Sequence, residues 1–164
     1  MQDRTLWSPT PARAEAPGLA ARPPERALVP IGRLRDPERF LARIVDSYRR
    51  SPFELHVLNV QPPLPGHVAM YFDAGQIRRF HCEDAMQELL PARRLLRQAG
   101  IPYVCHIEVG DYATSIAACA REHRCRHVIL EDPCKGMVSR WMPSSLASQV
   151  ARLLAGSNVL CELV

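Results

Sequence analysis

From Ala27 to Val164 short apolar runs alternate with longer segments whose apolar residues recur every three or four positions, and that alternation leaves few folds open. The run "ALVPI" reads as a first strand. In "RDPERFLARIVDSYRR", Asp36 is placed to cap a helix with Pro37 at its first position, and Leu41, Ile44, Val45 and Tyr48 make one apolar stripe. "FELHVLNV" is a second strand, closed by the prolines of "QPPLPG", which cannot stay in a ladder. Residues 66 to 80 fit neither period, and their shape stays open. The next pattern predicts a helix over about Cys82 to Ala99, bent at Pro91 and stopped by Gly100. "IPYVCHIEV" alternates Tyr103, Cys105, Ile107 and Val109 with Val104, His106 and Glu108; with one polar face it is expected at an edge. A helix capped by Asp111 turns Ile116, Ala117 and Ala120 inward, and "HVIL" is a buried fourth strand. A last helix through "SSLASQVARLLAGS" carries Leu146, Val150, Leu153 and Leu154 on one face, and "NVLCELV" is a fifth strand.

Strands that alternate with helices pair in parallel, because each parallel neighbour needs a crossover and the crossover helices then cover the faces. The expectation is one α/β domain over 27–164, an open five-stranded parallel sheet with helices on both faces. Residues 1–26 are rich in Pro, Ala and Arg and show no sustained period, so they read as a flexible extension in which Leu6 and Trp7 could dock.

Composition then narrows the function classes. A chain of 164 residues with 47% hydrophobic residues fits one domain with a real core. The net charge is +4, but acids and bases are interleaved and aromatics are only 6%, so no basic, aromatic surface for nucleic acid stands out. No run approaches a membrane span and no signal peptide is visible, so the cytoplasm is the expected location. The six cysteines show no C-x-x-C and read as reduced thiols, mostly small core hydrophobes. His123, Cys125 and His127 are close in sequence. One lies near a helix end and one opens a strand, so the three should point apart, and no metal site is expected. Glu131 and Asp132, being adjacent, face opposite ways and make a poor acid–base pair; enzymatic activity is not expected.

In order and spacing, "ALVPI", "ELHVLNVQPP", "VGDYATSIAACAREH", "HVILEDP" and "SSLASQVARLLAGSNVLCELV" together resemble a universal stress protein domain, over roughly five-sixths of the chain. The resemblance implies the adenine nucleotide alpha hydrolase-like sheet with strand order 3-2-1-4-5. It also implies a homodimer through the last strand, with Val159, Leu160, Cys161 and Leu163 as candidate interface residues. The family's nucleotide binders carry an acidic residue at the end of the first strand and, after the fourth, G-x-x-G, nine residues, then G-[ST]. Here the first strand ends Ile31–Gly32, without a carboxylate. Glu131, Cys134 and Ser144 stand on the three glycines, while the nine residues Lys135 to Pro143 and the hydroxyl of Ser145 are kept. By motif position the candidate nucleotide residues are Ile31, Gly32, Val60, Leu130, Glu131, Cys134, Lys135, Ser144 and Ser145.

The helix beginning near Ser145 offers N–H groups to an anion, whereas side chains in place of glycine crowd the phosphate and Glu131 repels it. At 4 Å and an effective dielectric near 20 that repulsion is about 4 kcal/mol per charge before screening, against about 1 kcal/mol from a helix end. The expected function is a non-enzymatic, dimeric stress-response or regulatory protein that carries no cofactor and acts on a protein partner the sequence does not identify. Two alternatives remain open. One is a divergent binder of ATP with Mg²⁺ that uses the cations of "KGMVSR"; the other is a thiol-based redox sensor at Cys134, whose pKa Lys135 could lower.

Overall fold

The strands gather into one sheet. The computed structural model describes residues 5–7, 24–132 and 145–164. Its strands are β1 (Thr5–Trp7), β2 (Arg26–Pro30), β3 (Glu54–Gln61), β4 (Tyr103–Val109), β5 (His127–Leu130) and β6 (Leu160–Leu163), in the order β1-β4-β3-β2-β5-β6. The five from β2 to β6 are mutually parallel and stand in the expected order. β1 is an addition: a three-residue strand antiparallel to β4, inside the stretch read as a flexible extension and too short to show a period of its own. β4 therefore ends the parallel set but not the sheet.

Local signals set the helices α1 (Pro37–Arg50), α2 (Gly66–Ala69), α3 (Ala74–Glu88), α4 (Leu90–Gln98), α5 (Tyr112–Glu122) and α6 (Leu146–Leu153). Asp36 accepts from the Arg39 N–H, Asp111 from the Thr114 N–H and Ser145 from the Ser148 N–H, three side-chain caps of the usual kind. The open stretch 66–80 becomes α2 and the start of α3, which a capping box of Asp73 and Gln76 opens. The single bent helix expected over 82–99 is two helices. Pro91 lies in the first turn of α4, where its missing N–H costs nothing. Gly100, at φ +68°, ends α4.

Two cores result, one per face. Val29, Leu55, Val57, Cys105 and Ile107 turn toward α1, α3 and α4; Leu28, Leu58, Val60 and Val128 turn toward α5 and α6. Leu28, Leu58 and Ile116 are fully buried, each contributing about 2–3 kcal/mol by leaving water. Two readings need correction. Leu153, expected inward, is 41% exposed, so α6 buries only Val150 and the Leu154 that follows it. The polar face of β4 is not solvent-facing: His106 and Glu108 are 1% and 3% exposed, because polar neighbours on β3 and α5 receive them.

Candidate functional site

At the carboxyl ends of β2 and β5, where the strand order reverses, lies a cavity of ≈ 390 Å³. Gly32, Leu130, Glu131 and Ser145 line it, so the fold brings these four predicted residues together. Ile31 and Val60 belong to the cores instead, at 4% and 6% exposure. Ile31 acts through its backbone, its N–H donating to the Leu58 carbonyl and its carbonyl accepting from Asn59 Nδ2. Cys134, Lys135 and Ser144 lie outside the described residues.

The charge on Glu131 does not point freely into the cavity. Its two carboxylate oxygens accept the backbone N–H groups of Arg35, at 2.7 Å, and Asp36, at 2.9 Å, and so fasten β5 to the loop that leads into α1. The first strand turns at Gly32, whose φ of +138° suits glycine. Glu88, from the end of α3, reaches the same spot. Its Oε2 is 3.4 Å from where a Cβ on residue 32 would lie, and it accepts from Asn59 Nδ2 at 2.7 Å.

Tyr112, the first residue of α5, was not singled out by the sequence. Its hydroxyl donates to the Gly32 carbonyl at 2.8 Å, 80 residues away, and the Arg33 guanidinium sits 5.1 Å above its ring. Burial pushes its phenol up to about 12, so it stays a donor. The Asp111 cap was signal enough to put a helix start at this end of the sheet; nothing local announced the bond to Gly32. At the far wall, Ser145 Oγ holds the Ser148 N–H at 3.2 Å, which occupies one of the donors at the start of α6.

The opposite end of the sheet holds a second polar group. His56 Nδ1 and His106 Nε2 are 2.9 Å apart with ring planes only 9° from parallel, and the His123 ring lies 4.1 Å from that of His106. One ring nitrogen of each falls within 4.8 Å of the others. Glu54 meets His56 Nε2 at 3.1 Å, while Arg26 donates to Glu54 at 3.0 Å and to the His123 carbonyl at 3.1 Å. Burial holds His56 below the usual imidazole range and, with His123 and His56 beside it, brings His106 down to about 3. Burial alone would raise Glu54, but the hydrogen bonds from Arg26 and His56 leave it lowered. Of the sequence's His123, Cys125 and His127, only His123 joins this group. Cys125 is buried with its thiol pushed up to about 12, and His127 pairs with Glu25 and Glu162. Cys105 and Cys119 are buried too, their thiols also raised chiefly by desolvation, as expected of core residues.

Comparison with known proteins gives the same frame. Residues 24–157 match the model of the Universal stress protein family, and the chain belongs to that family. No curated protein matches it significantly. Among solved structures it is similar to a universal stress protein in complex with cAMP, at 15% identity and TM-score 0.58 over 87% of this chain and 98% of that one. It is similar as well to one from Archaeoglobus fulgidus in complex with dAMP, at 16% identity and TM-score 0.57 over 85% and 96%. A family protein from Burkholderia pseudomallei matches at 15% identity and TM-score 0.57 over 85% and 95%. At such identities the likeness speaks for the fold alone. Among the described residues no helix is long and apolar enough to cross a membrane.

Proposed function

We propose that this universal stress protein is a non-enzymatic regulatory homodimer that works through contacts with another protein and does not hold ATP in the manner of the family's nucleotide binders. The observation that carries the reading is Glu131, whose two oxygens take the backbone N–H groups of Arg35 and Asp36. An anion supplied by the chain itself then sits beside the cavity, and each phosphate charge brought within 4 Å of it would be opposed by about 4 kcal/mol before screening. Ser145 already uses the Ser148 N–H, and Tyr112 with Arg33 closes over Gly32. Thermal unfolding with millimolar ATP and Mg²⁺ tests this, and no shift in Tm is expected. Binding at 100 times Kd would add about 2.7 kcal/mol, a shift of several degrees, and that result would overturn the reading.

A second reading, an adenine mononucleotide in the same cavity, is favoured by its ≈ 390 Å³ volume at the strand switch and by similar structures that hold cAMP and dAMP. Repeating the melt with AMP and cAMP in place of ATP separates the two. The homodimer is supported by β6, an edge strand on which Leu160 is 59% exposed beside half-buried Val159, Cys161 and Leu163. Light scattering should give a dimer mass that Leu160→Arg reduces to a monomer; a monomer mass for the unaltered chain would count against it.

A further inference from the structure

The three histidines at the amino ends of the strands carry the inference. Three imidazoles from separate elements, His56 on β3, His106 on β4 and His123 capping the end of α5, converge where apolar side chains would pack at lower cost. β3 and β4 pair Leu58 with His106, so His56 and His106 are diagonal neighbours on one face of the sheet. Among the described residues no hydrogen bond reaches either ring nitrogen of His123, although one of those nitrogens lies within 4.8 Å of a nitrogen on each of the other two.

We propose that His56, His106 and His123 form a binding site for one late first-row divalent cation, of which zinc is the type, on the face of the sheet away from α1 and at the end opposite the cavity. The donor chemistry suits such an ion, since neutral imidazole nitrogen ligates zinc, copper and nickel, and three histidines leave a fourth position for water. The geometry is close to what coordination needs. Nitrogens that share a tetrahedral ion at about 2.0–2.1 Å are about 3.3 Å apart, and His56 Nδ1 and His106 Nε2 stand at 2.9 Å. A few tenths of an ångström of separation, the His106 proton on Nδ1 rather than Nε2, and a tilt of the two rings so that their lone pairs meet at the ion instead of head-on would let both nitrogens ligate it.

His56 presents Nδ1 because its other nitrogen donates to Glu54, the carboxylate–histidine–metal arrangement that fixes tautomer and ring direction. Arg26 holds that carboxylate from its far oxygen. His123 is half-buried and caps a helix; its ring stacks on that of His106 and must turn for a nitrogen to face the ion, and the carbonyl end of α5 favours a cation.

The test uses the full chain stripped of metal by chelator and titrated with zinc chloride by calorimetry. One equivalent per chain at micromolar affinity or tighter is the expected result. His123→Ala, at the half-buried helix end, should weaken binding about 100-fold or more, Glu54→Gln about 10- to 100-fold, and His127→Gln not at all. The same titration with Co²⁺ should give the visible bands of a tetrahedral nitrogen and oxygen site without thiolate charge transfer. Absence of binding by the unaltered chain at 100 times micromolar zinc, unchanged affinity in His123→Ala, or thiolate absorption with Co²⁺ would each overturn the proposal. Because the first and last readouts need no variant, they decide the matter even if a substitution prevents folding.

Discussion

Two sets of polar side chains, one at each end of this sheet, are spent in opposite ways. At the carboxyl end, Glu131, Ser145 and Asp111 are half-buried or exposed and bind backbone amides, with Ser145 and Asp111 reaching only three residues along the chain. At the amino end, His56 and His106 are almost fully buried and bind each other across 50 residues. The first arrangement makes turns and caps, which water could partly replace. In the second, losing one partner leaves the other desolvated, so each group depends on the rest.

That difference ranks the expected losses. His106→Ala should cost about 2–4 kcal/mol in urea unfolding, since it opens a cavity and strips His56 Nδ1 of its partner. Gly32→Asp should cost about 1–3 kcal/mol and gain no ATP response. It restores the carboxylate by name, but at φ +138° and 3.4 Å from both Asn59 Nδ2 and Glu88 Oε2. Glu131→Ala, which frees two backbone N–H groups that solvent can reach, should cost about 1 kcal/mol, read as a lower thermal midpoint. Ser145→Ala should cost the least, about 0.5 kcal/mol, at the low end for a lost helix cap. A Ser145→Ala loss equal to that of His106→Ala in the same urea series would break the contrast between the ends.

What the sequence made legible follows the same division. Asp36 and Asp111 could be read as caps because a cap and its N–H lie within four residues. That the strands run parallel followed from the alternation of elements, and their order from the resemblance. Gly32, Leu130, Glu131 and Ser145 were placed around one cavity by motif spacing. What stayed hidden was set by partners far along the chain. That Glu131 also fastens the loop before α1 could not be read, because its bonds to Arg35 and Asp36 span 96 and 95 residues. His106 and Glu108 looked like a solvent face because alternation reports polarity, not the polar neighbour that permits burial. Pro91 was read as a bend because a helix interior and the first turn of a new helix have the same local composition.

β1 bears on how many copies can join. Sheets that meet edge to edge can grow without limit only if each molecule offers two usable edges, as fibrils do. Here the three residues of β1 pair with Ile107 and Glu108 and so cap the carboxyl half of β4 with a rim too short to template a neighbour, while β6 stands at the other edge. In the proposed homodimer the first pairing would use up β6, and a third copy could join this sheet only through the part of β4 that β1 leaves unpaired, so β1 limits growth beyond two copies.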